Sequence, residues 1–212
     1  YYSMWVHQIK TPISAMKLLL EAEREELGQL MSDDAQSQCL LSDNMNSIED
    51  ELFRIEEYVS MALQYQRVSS TENDFVLEKV SVDGVIRDTI KKYAKIMIRR
   101  HIGINYSGTG QAVYTDGKWL AFMLEQILSN AIKYTPKGSK ICIRGMKCNG
   151  KAQICVEDNG PGIADEMKPY IFEMFYTGKN TIADSQRSLG LGLSLCQSII
   201  EAHDGRLILT DN

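Results

Sequence analysis

Gly117-Lys118-Trp119-Leu120-Ala121-Phe122-Met123-Leu124-Glu125-Gln126-Ile127-Leu128-Ser129-Asn130-Ala131-Ile132-Lys133-Tyr134 is the stretch that decides the reading of this 212-residue chain. Leu120, Leu124, Ile127 and Ala131 recur at three- and four-residue spacing, which predicts a helix with one apolar stripe. Gln126, Asn130 and Lys133 form a polar stripe roughly 130° away on the same wheel. An amide oxygen from Asn130 is a hard ligand of the kind that suits Mg2+. Lys133 offers charge to phosphate oxygens, and Tyr134 offers a ring to a base. A merely solvated helix face would carry the same residues, so the stripe needs company.

Two glycine turns supply it. Val156-Glu157-Asp158-Asn159-Gly160-Pro161-Gly162-Ile163 follows an alternating, strand-like run. An Asp-Asn-Gly turn is often only a turn. A carboxylate held at Asp158 also suits the exocyclic amine of adenine, and Gly160 and Gly162 let the backbone approach a base closely. Downstream, Ser188-Leu189-Gly190-Leu191-Gly192-Leu193 opens a helix, so its backbone amides suit phosphate oxygens. The loop is neither GxxxxGK[ST] nor GxGxxG. Residues 174–187 between the turns are polar apart from their first aromatics, a composition that suits a lid over bound nucleotide.

Working back towards the N-terminus, the pattern becomes purely helical. Ile9, Ile13, Met16, Leu20, Leu27 and Leu30 repeat with mostly four- and three-residue steps, interrupted at Glu23. Leu41, Met45, Ile48, Leu52, Ile55, Val59 and Ala62 repeat without interruption. Ser32-Asp33-Asp34 supplies a turn and an N-cap. Residues 1–68 therefore read as an antiparallel helical hairpin, 69–74 as a polar linker and 75–212 as a second domain. A hairpin with a seam on each helix cannot bury both alone. A second copy gives a four-helix bundle, although a plain two-helix coiled coil has the same periodicity.

His7 lies roughly 150° from the middle of its seam, with Thr11 beside it one turn on, so both face solvent. Neutral imidazole is a competent nucleophile near pH 7. Pro12 removes a backbone donor and should kink the helix just past this site. An exposed histidine followed far downstream by a nucleotide-type pocket suggests a chain that moves a phosphoryl group onto its own imidazole.

The second domain reads as α+β, one sheet covered by helices. Strands are expected at 75–82, 102–106, 112–114, 140–146, 152–157 and 206–209, and helices at 83–99, 117–134 and 194–202. The net charge of −5 argues against a general nucleic-acid binder. Cys39, Cys142, Cys148, Cys155 and Cys196 form no CxxC pair, and read as small buried hydrophobes of a reducing compartment. No apolar run is long enough to span a membrane, and there is no signal peptide. The absence of an initial methionine reads as a fragment whose upstream part has been removed.

Taken in order, these strings resemble the sensor histidine kinases of bacterial two-component systems. Trp5 to Pro12 is similar to the phosphoacceptor box, Gln126 to Tyr134 to the N box, and Asp158 to Ile163 to the first glycine box. Phe172 to Phe175 is similar to the aromatic box, and Gly190 to Leu193 to the second glycine box. His7-Gln8-Ile9-Lys10-Thr11-Pro12, Asp116-Gly117-Lys118-Trp119 and Tyr176-Thr177-Gly178 are similar to the sensors of bacitracin and other antimicrobial peptides, which usually work beside an ABC transporter.

The resemblance implies a gyrase-type ATP-binding domain, ATP with Mg2+ as cofactors, and a homodimer through the hairpin. It implies autophosphorylation on His7, then transfer to an aspartate of a response regulator receiver domain. The full-length protein would be membrane-anchored, with this portion in the cytoplasm. Asn130 and Gln126 would hold the metal. Lys133, Tyr134, Asp158, Gly160, Gly162, Ile163, Phe175, Gly190, Leu191, Gly192 and Leu193 would line the nucleotide. Thr11 matches the position that orients a water for dephosphorylating the regulator.

Two residues depart from the pattern. Gln8 stands where most relatives carry a carboxylate that accepts the imidazole proton, and an amide is no base near neutrality. Gln126 stands where asparagine is commoner. The chain also stops short of the family's usual last strand. Two other readings share these features: a catalytically inactive ATP-binding dimeric scaffold, and a non-kinase ATPase of the same fold.

Overall fold

A computed structural model describes residues 12–22, 35–69, 76–148, 150–177, 190–202 and 205–210. His7, Gln8 and Thr11 lie outside them. The chain divides into two compact units, Tyr1–Ser69 and Ser70–Asn212.

In the first unit, helix α1 covers residues 12–22, where Pro12 is buried, and α2 runs Ala35–Ser69. The four-three repeat along α2 resolves into two rows. Ile48, Ile55 and Ala62 are half-buried, while Met45, Leu52 and Val59, at seven-residue intervals, remain exposed. Among the side chains described in this helix, Met61 is the buried hydrophobe.

The second unit comprises β1 (Glu78–Ser81), α3 (Val82–Arg99), β2 (Gly103–Ser107), β3 (Ala112–Thr115), α4 (Gly117–Tyr134), β4 (Lys140–Cys148), β5 (Lys151–Glu157) and α5 (Gly192–Ala202), with a 3-10 turn at Lys168–Tyr170 before α5. Caps set the helix starts. Ser81 Oγ accepts from Gly84 N at 3.2 Å, so α3 begins at Val82 and the strand expected at 75–82 stops at Ser81. Asp116 Oδ1 accepts from Lys118 N at 2.9 Å and Trp119 N at 3.4 Å, fixing the start of α4. Its Oδ2 accepts from Val76 N at 3.1 Å.

The far end of α4 is held by Arg100, just past α3. Its guanidinium donates to the carbonyls of Ile132 and Thr135, where the helix dipole favours a cation. Burial pulls the Arg100 pKa below its ordinary value. Asp83, in the first turn of α3, accepts from the Tyr106 hydroxyl, Thr109 N at 2.8 Å and Gly110 N at 2.7 Å. These donors, Tyr106 foremost, lower the Asp83 pKa to about 2.

Where one sheet is expected, hydrogen bonding among the described residues divides the strands into two. β1 and β3 form an antiparallel ribbon, and β2-β4-β5 form a three-stranded sheet. β2 runs parallel to β4, with Ile104 opposite Ile141 and Tyr106 opposite Ile143. β4 and β5 are antiparallel, with Ile143 opposite Val156. The core lies between this sheet and the helices, where Ile86 and Thr89 of α3 and Leu124 and Leu128 of α4 meet Ile143 and Val156. Ile86, Leu128 and Ile143 are each at most 3% exposed.

Two further expectations are corrected. Residues 206–209 form no strand and join no ladder among the described residues, because a strand needs a partner as well as a pattern. The last helix starts at Gly192 rather than Ser194, since its first turn packs on α4 whatever the low helix propensity of glycine.

Candidate nucleotide site

Helix α4 is the spine of the site, and α5 lies against it. Cys196 Sγ contacts Met123 O at 3.9 Å, and a Cβ added to Gly192 would sit 2.6 Å from Gln126 Oε1. As α4 advances from Met123 to Gln126, the contact on α5 retreats from Cys196 to Gly192, so the helices are antiparallel. One further turn along α4 reaches Asn130, at the level where α5 has ended. In the segment just before α5, Gly190 has φ +65°. Gln126 is buried, whereas Asn130 and Lys133 are half-buried. Lys133 Nζ lies 5.1 Å from the Tyr134 ring centroid. Tyr134 is 42% exposed, and partial burial raises its pKa.

The first glycine turn meets the other end of α4. β5 delivers Asp158, whose Oδ1 accepts from Gly160 N at 2.7 Å. A Cβ on Gly160 would sit 2.6 Å from that oxygen and 3.2 Å from Tyr134 O, so this glycine allows the turn to close against the helix end. Asp158 and Ile163 are half-buried, and Gly162 has φ +73°. Beside the turn, Arg144 donates to Glu157.

The second turn is locked to the aromatic segment. Phe175 N donates to Gly190 O at 2.9 Å, and a Cβ on Gly190 would lie 2.6 Å from Tyr176 O and 2.7 Å from Phe175 C. Phe175 itself has φ +66°, a conformation that costs a residue with a Cβ about 1–2 kcal/mol. Tyr170 and Tyr176 pack at 5.8 Å between ring centroids. Leu191 is fully buried and Leu193 half-buried.

The structure thus brings Gln126 against Gly192, the Tyr134 carbonyl against Gly160 and Phe175 against Gly190, with Lys133 beside the Tyr134 ring. The lock between Phe175 and Gly190 and the burial of Gln126 were not read from the sequence. The only local signal was the glycine at 190, since the contacts that define both features are non-local. Among the described residues no group of three or more His, Cys, Asp or Glu is placed to hold a metal. A metal here would rest on amide oxygen and on the ligand's own phosphates, a donor set that fits Mg2+.

Residues 115–212 match the family described as histidine kinase-, DNA gyrase B-, and HSP90-like ATPase. Sensor protein BceS of Halalkalibacterium halodurans is 33% identical over 93% of this chain and 54% of its own length. Sensor histidine kinase GraS of Staphylococcus epidermidis is 32% identical over 93% of this chain and 52% of its own. The chain belongs to the sensor histidine kinases. Sensor histidine kinase YxdK of Bacillus subtilis is likewise similar, 29% identical over 95% of this chain and 57% of its own length. It spans about half the length of these curated relatives.

Among solved structures, the catalytic domain of histidine kinase ThkA is 27% identical with a TM-score of 0.54, covering 60% of this chain and 81% of that one. ThkA in complex with response regulator protein TrrA has a TM-score of 0.60 at 24% identity, covering 96% of this chain and 55% of that one. The second unit is accordingly an α/β ATP-binding domain of the gyrase and histidine-kinase type.

Proposed function

We propose that this chain is the kinase core of a sensor histidine kinase: it phosphorylates His7 from ATP and passes the phosphoryl group to an aspartate of a response regulator receiver domain. The observation that carries this reading is the meeting of α4 with both glycine turns, Gln126 against Gly192 and the helix end at Tyr134 against Gly160. Asp158 would select adenine through the exocyclic amine, and Tyr134 would pack on the base. Lys133 and the backbone from Gly190 to Leu193 would hold phosphates. Asn130 would hold Mg2+, which when bound neutralises phosphate charge.

The neutral imidazole of His7 attacks the γ-phosphorus. A P–N bond forms, the P–O bond to the β-phosphate breaks, and ADP leaves. The receiver aspartate then attacks the same phosphorus and the P–N bond breaks. Both steps rest on positioning and charge neutralisation. Gln8 orients the imidazole by hydrogen bonding and leaves its proton to solvent. Thr11 orients water for the reverse task, dephosphorylation of the regulator.

The exposed row of Met45, Leu52 and Val59 supports a homodimer in which two hairpins make a four-helix bundle. The whole protein is proposed to be membrane-anchored, with this portion in the cytoplasm, and to work beside an ABC transporter.

The test is incubation with γ-labelled ATP. Label that is acid-labile, base-stable and lost in His7→Ala is expected. Nucleotide binding without labelling would make the chain a scaffold. Hydrolysis that survives His7→Ala would make it an ATPase.

A further inference from the structure

We propose that Gln126 is a positioning residue for the phosphate-binding turn, and that Asn130 alone offers a side-chain ligand to the metal; this rests on the nucleotide reading above. The two amides are four residues apart on one stripe of α4, so a helical wheel treats them alike. Their surroundings differ. Gln126 is 7% exposed, and its Oε1 abuts the backbone of Gly192, the first residue of α5. Asn130 lies one turn further on and is half-buried.

Gln126 is therefore within the helix–helix contact. Its oxygen is an acceptor beside the first turn of α5, where backbone N–H groups lack intrahelical partners. Packed there, the amide sets the distance between α4 and the start of α5, and with it the placing of the loop from Gly190 to Gly192. Glycine at 192 follows from the same contact, because the amide occupies the space a methyl group would need. The longer arm of glutamine is then a reach across to α5 rather than a displaced metal ligand.

Adenine-nucleotide affinity measured by calorimetry on the full chain, in Mg2+ and again in EDTA, separates the roles. Gln126→Ala is expected to weaken ATP binding ~5–10-fold, by the same factor in both buffers. Asn130→Ala is expected to weaken it in Mg2+ and change little in EDTA. Gly192→Ala is expected to weaken binding in both, and Gln126→Asn/Gly192→Ala to regain at least about 5-fold over Gly192→Ala, since side chains in contact are energetically coupled.

Loss confined to the Mg2+ arm in Gln126→Ala would make Gln126 a metal ligand and overturn the proposal, as would a double variant no better than Gly192→Ala. If the unaltered chain binds no adenine nucleotide, the nucleotide reading fails. Thermal melting then judges the packing: Gly192→Ala lowers Tm and Gln126→Asn restores it, or the contact is not as described.

Discussion

Gly190→Ala is the sharpest perturbation available at the site, and Gly162→Ala is its internal control. Both glycines sit at positive φ, +65° and +73°, so an alanine at either position carries a left-handed backbone penalty of about 1–2 kcal/mol. Their surroundings differ. Nothing lies within 4 Å of a Cβ at Gly162, whereas a Cβ at Gly190 would meet Tyr176 O, Phe175 C and Tyr176 N at 2.6, 2.7 and 2.8 Å. Those neighbours are backbone atoms, which have no rotamer with which to yield. Relief requires moving the 175–177 segment and stretching the bond from Phe175 N to Gly190 O. Overpacking of this kind costs about 1–3 kcal/mol.

Gly190→Ala should therefore lose about 2–5 kcal/mol in all, and Gly162→Ala about 1–2. With a urea m-value of about 2 kcal/mol/M, the midpoints shift by ~1–2.5 M and ~0.5–1 M respectively. If the 175–177 segment gives way instead, the stability loss shrinks, and affinity for an ATP analogue falls at least ~10-fold. Equal midpoints for the two variants together with unaltered nucleotide affinity would refute the lock between the aromatic segment and the glycine turn.

Arg100→Met keeps the aliphatic stem and removes two charge-assisted bonds to the last turn of α4. A loss of about 1–2 kcal/mol in urea denaturation is expected, reduced because the freed carbonyls partly rehydrate, and no loss would show that α4 needs no clamp. The Asp83 pKa is lowered to about 2 from an ordinary value near ~4, so its stabilisation is present above pH ~4 and lost as pH falls towards 2. Asp83→Asn should flatten that acid limb of the stability–pH profile, and an unchanged limb would remove the group from the account. Gln8→Glu supplies the base that the amide lacks, so His7 labelling should accelerate in a rapid-quench assay, and an unaltered rate would show that proton removal does not limit. Thr11→Ala should retain His7 labelling and lose dephosphorylation of the regulator, and equal loss of both would reject its role.

Local chemistry wrote much of this fold legibly into the chain. Asp116 announces the start of α4, the three-four repeat carries it, and Pro136 follows its end, so residues 117–134 could be bounded from sequence alone. Alternation likewise revealed β4 and β5, although each runs one or two residues longer than the pattern suggests. What stayed hidden was non-local. The parallel pairing of β2 with β4 joins residues about 37 apart, and nothing in either strand names the other. The separation of the β1-β3 ribbon from the larger sheet has the same origin. At the site, a wheel reports angles but not neighbours. It put Gln126 beside Asn130, and only tertiary packing tells the buried amide against α5 from the half-buried one.

The double duty of Asp116 has a mechanical corollary. Val76 is the first described residue after the stretch that joins the two units, and its amide is fastened to one carboxylate oxygen while the other oxygen anchors the first turn of α4. Tension or torque arriving along the backbone at that point is borne by a single rigid carboxylate and delivered to the head of the helix whose far end carries Asn130, Lys133 and Tyr134. The leading edge of the second unit is thus spliced to the axle of the nucleotide site.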